Sequence, residues 1–288
     1  MSNDVKNPGP LALDDPEDNL TALIKLQADI SGNPILTGFP GQAWGWIPGE
    51  GHRLLFNTYG IGASKVEKDG DDWKFFHREA LYYTDPKTGD VLETWDNPYT
   101  EKKVEVLHIL NDPVNRLYKL KGGFIEPPYP YITNGPYLVF QISVLRAEKN
   151  PMQPNDYPIH SQQSIYQSAE LWAVSGLLNE IHNPEVTNAA NHTAWTRISM
   201  WLPFMEMGNR SGQMVYHSQS FKLDEGADSL PDKVRAYTEK CQPQYLEPPS
   251  EWLGMAQNAN TWTVSKKEID RRRKAGLGGE AGAVFAVG

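Results

Sequence analysis

The stretch IGASKVEKDGDDWKFFHREALYY, residues 61–83, decides the fold. Asp69-Gly70 in its middle is a dipeptide typical of tight reversals, and apolar and polar side chains alternate on both sides of it. The stretch therefore predicts two antiparallel strands joined by a turn. Alternation along the second strand separates two sets of side chains. One face carries Phe75, His77, Glu79 and Leu81, and the other carries Phe76, Arg78 and Tyr82.

Turn signals of the same kind recur between residues 60 and 148, and further strand candidates lie between residues 162 and 223. The predicted fold is mainly β: an antiparallel β-barrel or a strongly curved sheet with a few peripheral α-helices, because closure hides the edges of a long meander. An open sheet capped by the helices is the alternative. The sequence argues against a parallel α/β fold, since helical segments do not alternate with the strands.

Two helices are predicted outside the sheet, over residues 20–31 and 228–240. Asp18 or Asn19 can cap the first helix, and Pro231 suits the first turn of the second. The segment KKVEVLHIL, residues 102–110, is apolar on both faces and predicts one strand between two packed layers.

The predicted domain organisation has three parts. Residues 1–18 form a flexible leader and residues 19–265 a single β-rich domain. Residues 266–288 form a short charged helix and a mobile Gly-rich tail.

Composition excludes several classes of protein. The 27 Lys and Arg against 36 Asp and Glu give a net charge of −9, which argues against a nucleic-acid partner. No apolar run reaches the roughly 18 residues that span a bilayer, and the N-terminus lacks the apolar segment of a signal peptide. We therefore expect a cytoplasmic protein without a membrane partner. Aromatic residues make up 11% of the chain and would also suit a subunit interface, so a homo-oligomer is an alternative to a monomer.

The sequence contains no motif for a common cofactor or metal. It lacks G-x-G-x-x-G after a strand, G-x-x-x-x-G-K-[ST], G-x-S-x-G and H-E-x-x-H, and its single cysteine, Cys241, rules out C-x-x-C. The pair His77 and Glu79 is better interpreted as part of a half-exposed charged strand than as a metal site. We expect no metal and no cofactor, which leaves cofactor-free acid–base chemistry or plain ligand binding.

Ionisable side chains within apolar strands supply the catalytic candidates, because burying them costs free energy unless they are paired or used. The first four candidates are Arg78, His108, Arg197 and His217, and the further ones are His77, Glu79 and Glu170. For each of them a structural salt bridge is the competing interpretation.

Aromatic residues supply the binding candidates, since planar rings suit a flat ligand. We predict an aromatic-lined interior cavity for a small aromatic substrate. The candidate substrate-binding residues are Tyr82, Tyr118, Phe140, Trp172, Trp201 and Tyr216, and Trp44, Trp46, Phe76 and Tyr137 are further candidates for the lining.

Four blocks of sequence resemble domain of unknown function family 1838. They are GWIPGE (45–50), HREALYYTDPKTGDVLETWDNPYT (77–100), VEVLHILNDPVN (104–115) and WLPFMEMGNRSGQMVYHSQ (201–219). The resemblance covers roughly residues 20–260. It implies no particular mechanism, because the family is defined by sequence.

The chain also resembles, more weakly, the γ-formaldehyde lyases that lignin-degrading bacteria use on phenylcoumaran-type aromatic dimers. This second resemblance implies a lyase that removes a hydroxymethyl group as formaldehyde without a cofactor and leaves a stilbene. The alternative function is a non-catalytic, lipocalin-like barrel that binds a small aromatic or apolar ligand.

The lyase hypothesis assigns roles to the candidates. A base must accept the hydroxyl proton, which suits His77, His108 or His217, while Glu79 or Glu170 could orient or replace the histidine. A cation must stabilise the departing oxygen, which suits Arg78 or Arg197. Tyr118 and Tyr216 could anchor the substrate phenol.

Overall fold

The structure is a computed structural model that describes residues 10–123, 125–255 and 261–276. The helices described are α1 (Pro16–Gln27), α2 (Leu178–His182), α3 (Asp232–Cys241) and α4 (Thr261–Lys274), with 3₁₀ turns at Pro203–Met205, Gly226–Ser229 and Pro243–Leu246. The strands described are β1 (Ile35–Ile47), β2 (Gly51–Asp69), β3 (Asp72–Thr84), β4 (Thr94–Asn97), β5 (Lys102–Glu105), β6 (Ile109–Asn111), β7 (Arg116–Tyr118), β8 (Tyr131–Asn134), β9 (Tyr137–Lys149), β10 (Ile165–Leu177), β11 (His192–Ser199) and β12 (Gln213–Lys222).

One antiparallel sheet dominates the molecule. Its strand order is β6-β3-β2-β1-β12-β11-β10-β9-β8, with β7 also paired to β3, while β4 and β5 form a separate two-stranded sheet. The prediction of a mainly antiparallel β fold with a few helices is confirmed. Within the described residues, β6 and β8 stand at opposite ends of the order and do not pair with each other, so closure into a barrel is not confirmed.

The stretch that decides the fold forms the predicted hairpin. β2 and β3 pair in register from Asn57–Thr84 to Asp69–Asp72, which leaves Gly70 and Asp71 as a two-residue loop. Gly70 has a φ of +63°, and a type II′ turn requires a positive φ at this first loop position. Glycine adopts it without the steric penalty of a Cβ.

Other elements differ from the prediction in their bounds. The strand predicted over residues 102–110 is split, because its first part pairs with β4 as β5 and its last part pairs with β3 as β6. Helix α1 begins at Pro16, four residues early, because Asp15 accepts the first N–H groups of the helix. Asn19, a predicted cap, instead lies inside the helix and bonds both backbone groups of Tyr129.

The last two helices also shift. Helix α3 begins at Asp232, after Pro231 and a 3₁₀ turn. The predicted charged helix is α4, which begins at Thr261 and packs on the main core through the buried side chains of Trp262 and Ile269. The boundary predicted at residue 266 thus falls inside this helix. The start of the predicted leader, residues 1–9, and the Gly-rich tail from residue 277 lie outside the described residues.

Helix α1 packs against both ends of the main sheet. Its apolar face, with Leu20, Leu23 and Ile24 fully buried, forms one core with side chains from β3 and from β9 and β10. The β3 side contributes Trp73 and Phe75, and the β9–β10 side contributes Leu138, Phe140 and Val174. None of the described helices has the length and apolarity needed to cross a membrane.

Two lysine ammonium groups hold the end of α1 in place. Lys25 Nζ donates to the carbonyl oxygens of Ile181 and Asn183, both at 2.8 Å. Lys222 Nζ, at the end of β12, donates to the carbonyl oxygens of Lys25 (2.8 Å), Ala28 (2.9 Å) and Ala189 (2.8 Å). Each lysine Nζ has several oxygen acceptors, so its N–H donors are satisfied.

Candidate active site

A cavity of about 190 Å³ lies against one face of the main sheet. Strands β3, β2, β1, β12, β11 and β10 all contribute lining side chains. The predicted alternation along β3 is confirmed, since all four residues of one predicted face line the cavity: Phe75, His77, Glu79 and Leu81. The pleat of the strand therefore delivers an acid–base pair and two apolar side chains to the same space.

Four charged side chains converge on the cavity walls. They are Glu79 on β3, Arg116 on β7, Glu170 on β10 and Arg197 on β11. With two guanidinium groups and two carboxylates, their charges cancel. The exposed Arg146 also lines the cavity and marks its rim.

Arg197 is the most constrained of the four, with only 9% of its surface exposed. Its Nη2 donates a 2.6 Å hydrogen bond to the Tyr166 hydroxyl, and its Cζ lies 5.8 Å from the ring centroid of Trp262. Burial alone would lower the pKa of Arg197, but Tyr166 and Glu170 raise it by a larger amount. The net pKa lies above its usual value, so the guanidinium stays charged.

His77 and Glu79 form a pair one pleat apart on β3. His77 Nε2 lies 3.8 Å from Glu79 Oε2, and Asn111 Nδ2 lies 3.4 Å from Glu79 Oε1. Burial lowers the pKa of His77 and the neighbouring Glu79 raises it. The effect of burial is larger, so the pKa of His77 lies below its usual value. Burial would raise the pKa of Glu79, but His77, Arg116 and Arg197 together lower it. A neutral imidazole therefore stands beside an ionised carboxylate at neutral pH.

Two tryptophans form an aromatic wall beside this pair. Trp172 and Trp195 lie opposite each other on β10 and β11, with ring centroids 5.7 Å apart and a tilt of 40°. Trp195 Nε1 donates to Glu170 Oε2 at 3.2 Å, which fixes this carboxylate against the wall. The cavity thus combines flat apolar surface with fixed charges.

Several polar atoms of the walls lack a protein partner. The atoms that are buried without a hydrogen bond to the described residues are His77 Nδ1, Asn111 Oδ1, Asn191 Oδ1, Arg197 Nε and Ser218 Oγ. Each such atom costs about 1–3 kcal/mol unless water or a ligand satisfies it. These five side chains all belong to the cavity lining, so the walls are polar as well as aromatic.

A metal site is not evident in this part of the molecule. In residues 10–123, 125–255 and 261–276, no three His, Cys, Asp or Glu side chains lie together as metal ligands.

The sequence profile of a family described as "Protein of unknown function (DUF1838)" matches residues 32–269. The chain belongs to this family. The DUF1838 match confirms the resemblance seen in the sequence, and it includes all five charged residues of the cavity and most of α4. No curated protein matches the chain.

Of the seven catalytic candidates, this DUF1838 structure brings four together at the cavity and places three elsewhere. His77, Glu79, Glu170 and Arg197 line the cavity. Arg78 points to the other face of β3, where its Nε lies 2.7 Å from Asp112 Oδ1 and its Nη1 donates to two backbone carbonyls of the chain near residue 245. His217 is exposed on the face of β12 that points away from the cavity.

His108 has a structural environment. Its Nδ1 accepts the backbone N–H of Tyr83 at 3.2 Å, its ring stacks on the Tyr83 ring, and Tyr82 and Tyr237 contact it edge-on. Burial lowers the pKa of His108 to about 4. This histidine is therefore neutral and enclosed by aromatic rings.

Among the aromatic candidates, Trp172 lines the cavity. Tyr118 lies just behind the wall, where its hydroxyl donates to Gln27 Oε1 at 2.5 Å. Tyr216 is buried, with its hydroxyl 3.0 Å from the Tyr83 hydroxyl. The others pack in a core or on the surface: Trp44, Trp46, Phe76, Tyr82, Tyr137, Phe140 and Trp201.

The lining residues that sequence reasoning missed include Asn111, Arg116, Tyr166 and Trp195. A signal existed for two of them. Trp195 is two residues before Arg197 and Tyr166 is four before Glu170, so strand alternation places each on the same face as a residue already chosen. Arg116 and Asn111 lie on three-residue strands, too short for any alternation to be read.

Proposed function

We propose that the protein is a cofactor-independent lyase that releases formaldehyde from a lignin-derived aromatic dimer by acid–base cleavage of a carbon–carbon bond. One observation carries the proposal: the neutral His77, the ionised Glu79 and the guanidinium of Arg197 all line one aromatic-walled cavity. A pure carrier of apolar ligands gains nothing from burying these charges.

The reaction would need a base at the CH₂OH group of the substrate and a cation at its benzylic oxygen. Glu79, or His77 oriented by Glu79, accepts the proton of the substrate CH₂OH group as the C–C bond to that carbon breaks. The electron pair of that bond forms the new C=C bond and expels the benzylic oxygen as a phenoxide. Formaldehyde and a stilbene phenol are the products, and the proton held by the base can neutralise the phenoxide.

Arg197 and Arg116 would stabilise the departing oxygen. A guanidinium stays charged across the physiological pH range and can donate two hydrogen bonds to one phenoxide. Both arginines line the cavity on the described residues, Arg197 from β11 and Arg116 from β7.

The tryptophan wall would hold the substrate ring. Apolar cavities of roughly 150 Å³ bind benzene, so 190 Å³ accommodates one substituted ring beside Trp172 and Trp195. The second ring of a dimer would extend past Arg146 at the rim.

We also propose that the main sheet is strongly curved. Strands β3 and β10 are five positions apart in the strand order, which would separate them by about 24 Å in a flat sheet. Both strands nevertheless contribute to one cavity, and α1 packs on side chains from both ends of the sheet. These contacts support curvature around the cavity.

The test is a formaldehyde assay on purified, chelator-treated protein with a panel of lignin dimers, some carrying the CH₂OH group and some lacking it. We expect formaldehyde and stilbene in equal amounts from the first set only. The Glu79→Gln variant should lose this activity, and the matched Glu67→Gln variant, on an exposed side chain, should keep it. Tight binding of the dimers without formaldehyde would contradict the lyase and favour the lipocalin-like carrier.

A further inference from the structure

The cavity has an excess of positive charge, and it lies at the rim. The lining carries two carboxylates, a neutral histidine and the three guanidinium groups of Arg116, Arg146 and Arg197. One positive charge is therefore in excess, although the whole chain has a net charge of −9. Arg116 and Arg197 are balanced by the two carboxylates inside the cavity. The unbalanced charge is that of Arg146, whose side chain is exposed at the rim.

The two carboxylates of the lining have uncharged partners. Asn111 Nδ2 lies 3.4 Å from Glu79 Oε1, and Trp195 Nε1 donates to Glu170 Oε2 at 3.2 Å. Among the described residues, none of the three guanidinium groups comes close enough to Glu79 or Glu170 to form an ion pair. A ligand with an anionic group is therefore favoured by the charge of the lining.

Strand register places Arg146 at a defined distance from the tryptophan wall. Arg146 on β9 lies opposite Ser168 on β10, four residues before Trp172 along that strand. Four residues of an extended strand span about 13 Å. Glu170 lies between these two levels, opposite Arg197 on β11. A ligand that contacts both Trp172 and Arg146 therefore passes the charged groups inside the cavity and is longer than a single ring.

The chemistry of the rim favours a carboxylate over other anions. A guanidinium can donate two parallel hydrogen bonds to one carboxylate. One excess positive charge also matches a monoanion. A phosphate ester carries close to two negative charges at neutral pH, and Glu79 and Glu170 would repel the second.

We propose that the cavity selects two-ring aromatic acids, with one ring on the wall of Trp172 and Trp195 and a carboxylate at the far end bound by Arg146. This inference rests on the proposed function, because it names the substrate class of the same site. The neighbouring Glu148 is opposite Tyr166, one pleat further from the wall than Arg146, and is not part of the lining. Arg146 thus determines specificity, while the groups deeper in the cavity carry out the reaction.

Isothermal titration calorimetry of the full chain at about pH 7.5 tests the proposal with two probes of the same shape. They are trans-stilbene-4-carboxylate and the uncharged trans-stilbene-4-carboxamide. The wild type should bind the acid about 10-fold more tightly than the amide, the scale of one charge-assisted contact. Arg146→Met should remove this preference by weakening the acid alone, and Arg146→Lys should retain part of it. Arg53→Met, the same change on an exposed arginine of β2 outside the lining, should leave both affinities unchanged.

Three results would overturn the proposal: equal affinity of the wild type for acid and amide, no binding of the acid, or a preference that persists in Arg146→Met. Circular dichroism should show that Arg146→Met folds, since the side chain is exposed. Neither probe carries a CH₂OH group, so binding is measured without turnover. A protein that binds the acid through Arg146 but releases no formaldehyde from any dimer contradicts the lyase alone. A lyase that binds acid and amide equally contradicts this inference alone.

Discussion

Arg197 Nη2 donates a 2.6 Å hydrogen bond to the hydroxyl of Tyr166, and this bond joins the neighbouring strands β11 and β10 inside the cavity wall. Trp262 of α4 packs against the same tyrosine, with ring centroids 4.8 Å apart. The charged end of Arg197 is therefore held in place from behind, which preorganises it for a developing negative charge.

Replacing Arg197 by methionine should lower turnover about 10²-fold or more while the protein still folds. The reason is the loss of one preorganised charge donor. Formaldehyde release under saturating substrate measures the effect, and circular dichroism checks the fold. Arg210→Met is the matched control, because this arginine pairs with Glu50 away from the cavity and should be dispensable for turnover.

The pH dependence of kcat/KM should show an acidic limb below pH 6.5. His77 must be neutral and Glu79 ionised for proton abstraction, and the pKa of His77 lies below 6.5 while that of Glu79 lies below 4.5. Activity therefore falls as pH drops through these values and stays level from pH 6.5 to 8. A rate profile whose acidic limb sits at pH 7 or above would contradict this assignment.

His108 should make the protein less stable in acid. Its pKa is about 4 in the folded state and 6.5 in the unfolded chain, so the unfolded state binds the proton first as pH falls. The free energy of unfolding should drop by about 3 kcal/mol between pH 6.5 and 4 from this residue. Urea denaturation across that range measures it. His108→Asn, whose amide oxygen can accept the Tyr83 N–H, should show a shallower pH dependence; an unchanged slope would refute the role.

Removing the Trp262 side chain should cost about 3–5 kcal/mol of unfolding free energy, the range for a large buried aromatic residue. Trp262 is fully buried against Tyr166 and beneath Arg197, so the loss should also reduce turnover. Urea denaturation and the formaldehyde assay measure the two effects. Trp46→Ala, at a half-exposed tryptophan, should cost less than about 1 kcal/mol.

Local alternation predicted the parts of the fold and site that depend on neighbouring residues. The hairpin at Gly70 and the cavity face of β3 follow from a period of two and a turn dipeptide. His217 shows where this reasoning ends. The strand that contains His217 forms as predicted. Which of its faces meets the cavity depends on the pairing of β12 with β1, which lies far from it in the chain.

A buried ionisable residue can hold the fold together or belong to the site, and the sequence alone does not distinguish these two roles. Arg78 and Arg197 both lie mid-strand with apolar neighbours. Arg197 reaches the cavity, while Arg78 ties β3 to Asp112 and to the backbone near residue 245. Only the position of the distant partners distinguishes a structural arginine from one at the site.

The lysine contacts at the end of α1 have a consequence for the order in which the molecule can be built. Lys222 binds the carbonyl oxygens of Lys25 and Ala28, which precede it by 197 and 194 residues. During synthesis, the contacts between Lys222 and the end of α1 therefore cannot form until β12 has left the ribosome. We expect nascent chains that stop before residue 222 to expose α1 to chaperones and proteases, and longer chains to shield it.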